Sequence, residues 1–391
     1  MGNDRYEKGN PHMDKFFNEL KRWSKRKHRL LGKYLPPFSA KVGSWATQIY
    51  CVDGFAGTAK YDDGTPGSPL MMAQLSDRCA SWTKPVNLKL INVESNPQHF
   101  KSLEYITEAW ASRGVVKNLP GDFSSRIPEI LSDIGDNPTL FFIDPYGPTQ
   151  VLFSHLRPIL NRSQRVTELV INFDADGLRR IADTMNADTT SQKTFKTVQT
   201  NLGNVSEIIG SSNWKEKFEV NKFSAQDREK ILLHEYMHNI TNYDYHVAAY
   251  PIRESMGTSP KYYFVFCTRH ADGIVLMNSF IREEEDEIFI EARGNRHPLF
   301  EAEGTEYDVA LKERRSTLKT HVLHYMSEAL RSTRRDIKRS LIPVHFGQFH
   351  DKDYAHVIYE LVREDKLLSE NGKKRFNDLE PLHFNTKHTD G

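Results

Sequence analysis

Cysteine is scarce in this chain: Cys51, Cys79 and Cys267 are the only three in 391 residues, and no two form a CxxC pair. That excludes a disulfide framework or a cysteine-rich metal cluster and leaves three reduced core residues. Long apolar runs are missing as well. Nothing approaches the roughly 18 consecutive apolar residues of a membrane-spanning helix, and the first 30 residues are charged throughout, unlike a secretory leader. Tyr6 stands where a myristoylation signal after Met1-Gly2 has Ser or Thr. These absences predict a cytoplasmic protein without membrane contact. There is no internal repeat and no low-complexity segment, and nothing in the chain signals an oligomeric state. Net charge is only +1, which by itself says nothing about partners, while a 38% hydrophobic content is enough for an ordinary core.

The charge is unevenly spread. Residues 15–33 carry eight Lys/Arg against one acid, and residues 312–339 carry nine against three; an acidic run, 283–287, lies between them. The first stretch reads as an amphipathic basic helix over 15–31, stopped by Gly32 and then Pro36-Pro37. Lys21, Arg22, Lys25, Arg26, Lys27 and Arg29 crowd it, as Arg331, Arg334, Arg335, Lys338 and Arg339 crowd the second stretch. Such clusters suit phosphates, so nucleic acid is a candidate partner through Lys27, His28, Arg334 and Arg335; a solvated helix face is the plainer alternative.

From Ser44 short apolar runs alternate with helical stretches, which predicts a parallel sheet with crossover helices. Strands are expected at 48–52, 88–93, 115–119, 140–143 and 169–173, followed by two more at 245–250 and 262–267. Ser68-Pro69 and Asn96-Pro97 look like N-caps before a proline at the first helical position. The expected fold is α/β, a doubly wound seven-stranded Rossmann-like sheet. After Leu311 the pattern turns helical and ends as helix (354–363), short strand and turn (370–374), the way a winged helix-turn-helix closes. The expected domains are a basic N-terminal segment (1–40), the sheet domain (41–300) and a winged-helix-like domain (301–391).

Four of these strands lead to an acid. The first runs into Asp53-Gly54-Phe55-Ala56-Gly57, a carboxylate followed by a glycine turn that lets backbone approach a ligand. The second ends in Glu94, suited to ribose hydroxyls; the third leads to Asp122-Phe123, an acid and an aromatic able to bracket a purine. The fourth ends in Asp144-Pro145-Tyr146-Gly147. One such acid is as readily a helix cap as a ligand, but four in succession point to a cofactor crevice.

Taken together, these motifs have a family likeness. With Lys27-His28, Tyr34, Gly67-Ser68-Pro69-Leu70, the run 168–173, Trp214 and the 263–277 hairpin, the chain resembles the three-Cys-motif partner proteins over roughly residues 21–278. That bacterial family has a class I methyltransferase-like fold. The resemblance implies S-adenosylmethionine (SAM) at Asp53, Gly54, Gly57, Glu94 and Asp122, a three-Cys-motif partner protein, and a winged-helix C-terminus. Two positions depart from the pattern. Ala59 replaces a second glycine, and Asp144-Pro-Tyr-Gly is one proline short of the Asp-Pro-Pro-Tyr of amino-methyltransferases. In that motif the acid and the proline carbonyl hold the target amine while the aromatic stacks on its ring. Asp144, Pro145 and Tyr146 are therefore the expected catalytic residues, with Asp144 orienting the acceptor and drawing off its proton.

One motif competes with this reading. His234-Glu235-Tyr236-Met237-His238 fits HExxH, the zinc-protease helix, but Leu233, Tyr236, Met237 and Ile240 already make it an ordinary packed helix, and no metal is expected. The expected function is a SAM-dependent methyltransferase acting on a nucleic acid or nucleotide-like acceptor. The alternatives are a non-catalytic SAM-binding partner or scaffold and a DNA-binding regulator.

Overall fold

The structure, a computed structural model, describes residues 22–163, 166–187, 191–253, 258–292, 306–372 and 376–386. Parts of the expected basic helix before Arg22 and of the C-terminal turn at 373–375 lie outside them. Contacts divide the chain into two compact units. One holds the described residues up to Tyr245 with Pro251–Arg269, the other His246–Tyr250 with the described residues from His270 onward.

The strands are β1 (Gln48–Asp53), β2 (Asn87–Glu94), β3 (Val116–Pro120), β4 (Thr139–Ile143), β5 (Thr167–Phe173), β6 (His246–Arg253) and β7 (Pro260–Thr268). They form one seven-stranded sheet in the order β3-β2-β1-β4-β5-β7-β6. The pairs β1/β2, β2/β3, β1/β4 and β4/β5 are parallel, and β5/β7 is antiparallel. Every residue of β4 and β5 is buried, as expected of central strands covered on both faces. Strand order reverses between β1 and β4. Their carboxyl ends, carrying Asp53 and Asp144, open the crevice in which a doubly wound sheet binds its ligand.

Helix α1 (Arg22–Gly43) differs from expectation: it runs straight past Gly32 and contains Pro36 and Pro37. Leu30, Leu31, Tyr34, Leu35, Phe38 and Val42 are all at most 5% exposed and lie on one face. Burying six such side chains at about 1.5–3 kcal/mol each outweighs about 3 kcal/mol for each interior proline. Both prolines are only partly buried, at the margin of that face. Helix α2 (Ser68–Ala80) also departs in detail, because Gly67 is its N-cap and Ser68 is buried inside it. Helix α3 (Pro97–Ala111) starts as expected, Asn96 accepting the amides of Gln98 and His99 at 2.8 and 3.3 Å. Helix α4 (Phe123–Ile134), α5 (Phe153–Leu160) and α6 (Ala175–Ala182) complete the crossovers, followed by α7 (Gln192–Ile209), α8 (Trp214–Lys217) and α9 (Ala225–Thr241).

The second unit contains α10 (Ala271–Ala292), α11 (Glu306–Ala329), β8 (Arg331–Thr333), α12 (Arg334–Leu341), α13 (Asp351–Arg363), β9 (Leu367–Ser369) and β10 (Pro381–Phe384). The three short strands pair antiparallel in the order β8-β10-β9. Within the acidic run on α10, Asp286 accepts from Arg282 and from His350, each at 2.7 Å.

Candidate functional site

Asp53, the last residue of β1, is completely buried. Its Oδ1 accepts the Phe55 amide at 3.1 Å, while Oδ2 has no hydrogen-bond partner. Burial pushes its pKa up to about 7, against the opposing pull of the Ser68 hydroxyl and the Phe55 amide. A carboxylate oxygen left unbonded in the interior is costly unless a ligand meets it. The turn after it is held by backbone: Gly54 N donates to Phe142 O and Ala56 N to Val93 O, both at 2.9 Å. A Cβ on Gly54 would fall 2.9 Å from the Phe123 ring, so the chain there admits no side chain without a shift.

Gly57 (φ +62°) turns left-handed and donates its amide to Glu94 Oε2 at 2.7 Å. The other Glu94 oxygen accepts Asn96 N at 2.7 Å, and the residue is 2% exposed. Ala59 is left-handed as well (φ +65°) and packs in a small core with Ala56, Leu70 and Leu103. An alanine held in this conformation carries a cost of about 1–2 kcal/mol. Replacing it with Gly relieves that strain but removes a buried methyl worth about 0.8 kcal/mol and frees the unfolded chain. Ala59→Gly is expected to leave stability within about 1 kcal/mol of the parent, as read from urea midpoints; a loss above about 2 kcal/mol would show that the methyl dominates.

Two clefts flank Phe55. One is lined by Gly54, Phe55, Glu94, Asp122, Phe123 and Gln150 among others. Asp122 precedes α4 as its N-cap yet makes no side-chain cap bond, so its exposed carboxylate is not spent on the helix. Phe55 and Phe123 stand 5.9 Å apart, tilted at 49°. The other cleft is lined by Lys27, His28, the loop from Phe55 to Tyr61, Ser68, Asp144, Pro145, Tyr146 and Tyr262. Of the expected cofactor residues, Gly54, Phe55, Glu94, Asp122 and Phe123 line the first cleft, and Phe55, Ala56 and Gly57 line the second beside the expected catalytic residues; the fully buried Asp53 lies behind Gly54 and lines neither.

Asp144 does not point free into its cleft. Lys27 Nζ, from α1, donates to Oδ1 at 2.7 Å and Oδ2 at 2.6 Å, and Asn172 Nδ2 donates to Oδ1 at 2.7 Å. Lys27 lies 5.2 Å from the centroid of the Tyr262 ring. Burial beside that ammonium pushes His28 down to about 4, so its ring is neutral. Burial also raises the phenols of Tyr61 and Tyr146, and takes Tyr262 up to about 12; all three are un-ionised donors in the physiological range. Tyr146 N donates to Gln150 Oε1 at 2.6 Å, which fixes the loop after Pro145.

Sequence reasoning missed the parts played by Asn172, Tyr61 and Tyr262. Asn172 had a signal, since it sits near the end of β5 much as Asp144 follows β4; the tyrosines had none, being brought in by the fold. Arg334 and Arg335 lie on α12, in the other unit. Arg334 pairs with Asp378, Lys338 with Asp351 at 2.8 Å, and Arg339 with Asp272 at 2.7 Å. In the HExxH helix, Glu235 turns inward to Ser211 and Lys217 at 2.9 and 3.2 Å. Asp174 caps α6 through Gly177 N at 2.8 Å, and Asp176 pairs with Arg179 at 2.5 Å. No helix among the described residues is long and apolar enough to cross a membrane.

No known family model matches the chain, and no curated protein does. Solved structures do resemble it distantly. An O-methyltransferase from Bacillus cereus in complex with SAH is 12% identical, covering 61% of this chain and 78% of its own, at a TM-score of 0.33. SCL7 of Oryza sativa is 16% identical over 65% of this chain and 81% of its own, at 0.31. The O-methyltransferase TomG from Streptomyces achromogenes, in complex with SAM, is 12% identical over 66% of this chain and 92% of its own, at 0.28. Likenesses this remote are silent on chemistry.

Proposed function

We propose that the chain is a SAM-dependent methyltransferase whose cofactor lies across the carboxyl ends of β1, β2 and β3. The observation that carries this reading is the unbonded, fully buried Oδ2 of Asp53 at the point where strand order reverses. It suits the methionine ammonium of SAM. Glu94 retains lone pairs for ribose hydroxyls, and Asp122 with Phe123 suits the adenine edge and face. The residues present fit the group.

When bound, SAM supplies an activated methyl on a sulfonium. The chain's own task is then to bind, orient and exclude water. Asp144 would hold the acceptor and take its proton, with Pro145 and Tyr146 beside it. Tyr61 and Tyr262 close the cleft around that carboxylate. The carbonyl and ring roles of Pro145 and Tyr146 follow from the motif alone.

The C-terminal unit reads as a winged helix: its order α11-β8-α12-α13-β9-β10 and its three-stranded antiparallel sheet support that. A nucleic-acid acceptor gains little from it, since Arg334, Lys338 and Arg339 are already paired with carboxylates. A second reading, a non-catalytic SAM-binding partner of a three-Cys-motif protein, is favoured by one observation: Asp144 is already engaged by Lys27.

Calorimetric titration with SAM tests the first reading. The folded chain should bind, and Asp53→Ala should weaken binding more than about tenfold through loss of a charge-assisted contact. A chain with native circular dichroism that binds no SAM contradicts it; binding without any methyl acceptor in a broad screen moves the weight to the second.

A further inference from the structure

Lys27, in the basic stretch 15–33, puts its side chain into the cleft and meets an acid there. Its side chain is 5% exposed, its ammonium meets both oxygens of Asp144, and the Tyr262 ring covers it at 5.2 Å. Asn172, itself 4% exposed, fixes the carboxylate from the other side at 2.7 Å. A carboxylate and an aromatic face are the two elements that recognise an alkylammonium.

The pair is a poor fastener. A buried ion pair adds little net stability over apolar packing, and α1 is already held by Leu30, Leu31, Tyr34 and Leu35, all at most 2% exposed. Lys27 lies N-terminal to that apolar face, next to Arg26 and three residues after Ser24, which are 8% and 7% exposed. We propose that Lys27 is an internal occupant of an alkylammonium subsite formed by Asp144, Asn172 and Tyr262, and that α1 thereby shuts the acceptor side of the cleft until a primary alkylammonium ligand displaces it. This rests on the reading that Asp144 faces the acceptor. In the open form the ligand's ammonium takes the place of Nζ between the same three residues.

n-Propylammonium, which has the atoms of a lysine side chain beyond Cβ, is the probe. In the unmodified chain, saturating n-propylammonium should speed hydrogen exchange of the amides from Ser24 to Arg29 about tenfold, while an equal ionic strength of potassium chloride should not. Lys27→Ala should bind n-propylammonium at least about tenfold more tightly than the unmodified chain, and Lys27→Ala with Asp144→Asn should lose that gain. Unchanged exchange in the unmodified chain overturns the proposal, even where Lys27→Ala does not fold. So does a folded Lys27→Ala that binds no better than its parent. SAM titration of the same samples separates the two readings: intact SAM binding beside a negative result here leaves the cofactor assignment standing.

Discussion

Lys27→Ala is expected to destabilise the chain by about 3 kcal/mol, the lower end of the range for breaking a buried ion pair. The cost comes less from lost attraction than from what remains, a carboxylate deprived of its cation. Asp144 keeps 20% of its side-chain surface, so water relieves part of that burden and the upper end is not reached. The contrast variant makes the argument specific. Lys27→Met with Asp144→Asn removes both charges, keeps most of the stem against Tyr262, and leaves Asn172 a carbonyl to donate to. It should recover at least half of the loss, giving a large coupling energy in a double-mutant cycle. Urea unfolding followed by circular dichroism reads both. If Lys27→Ala lies within about 0.5 kcal/mol of the parent, in the range of an exposed pair, the contact is a surface contact and its place in the cleft carries no weight.

This contact marks the boundary of what the sequence discloses. The strands of the sheet were legible because central strands are short, apolar and separated by helix signals, and acids at or beyond the ends of β1, β2, β3 and β4 stood out against that pattern. Asp53, Glu94, Asp122 and Asp144 therefore fall where the spacing puts them. The extent of α1 was not legible, because two prolines are a strong local signal and the six buried side chains that override it are defined only by the sheet beneath. Nor could the sequence distinguish Lys27 from Lys25, which is exposed, since burial is decided by what α1 rests on. The same holds in α12. Arg334, Lys338 and Arg339 looked available because their partners Asp378, Asp351 and Asp272 lie outside α12.

A second buried carboxyl ties α1 to the sheet and makes stability depend on pH. Glu168 on β5 is 5% exposed and accepts from Tyr34 of α1 and Thr268 of β7, each at 2.8 Å. Burial pushes its pKa up to about 7 although both hydroxyls favour the ionised form. A carboxyl whose folded pKa lies above its unfolded value of about 4.3 holds its proton more tightly when folded. Its contribution is thus complete below about pH 4.3 and is lost as the pH rises through 7, for a total of about 3 kcal/mol. Asp53 follows the same course, so the difference between parent and Glu168→Gln isolates Glu168. Glutamine reproduces the protonated acid, donating from Nε2 to one hydroxyl and accepting from the other. At pH 5 the variant should therefore match the parent to within about 1 kcal/mol, and at pH 8 it should be the more stable by about 2–3 kcal/mol. Urea unfolding at the two pH values measures the difference directly. Parallel curves would mean that Glu168 stays ionised in the folded chain and that its two hydroxyl partners outweigh its burial.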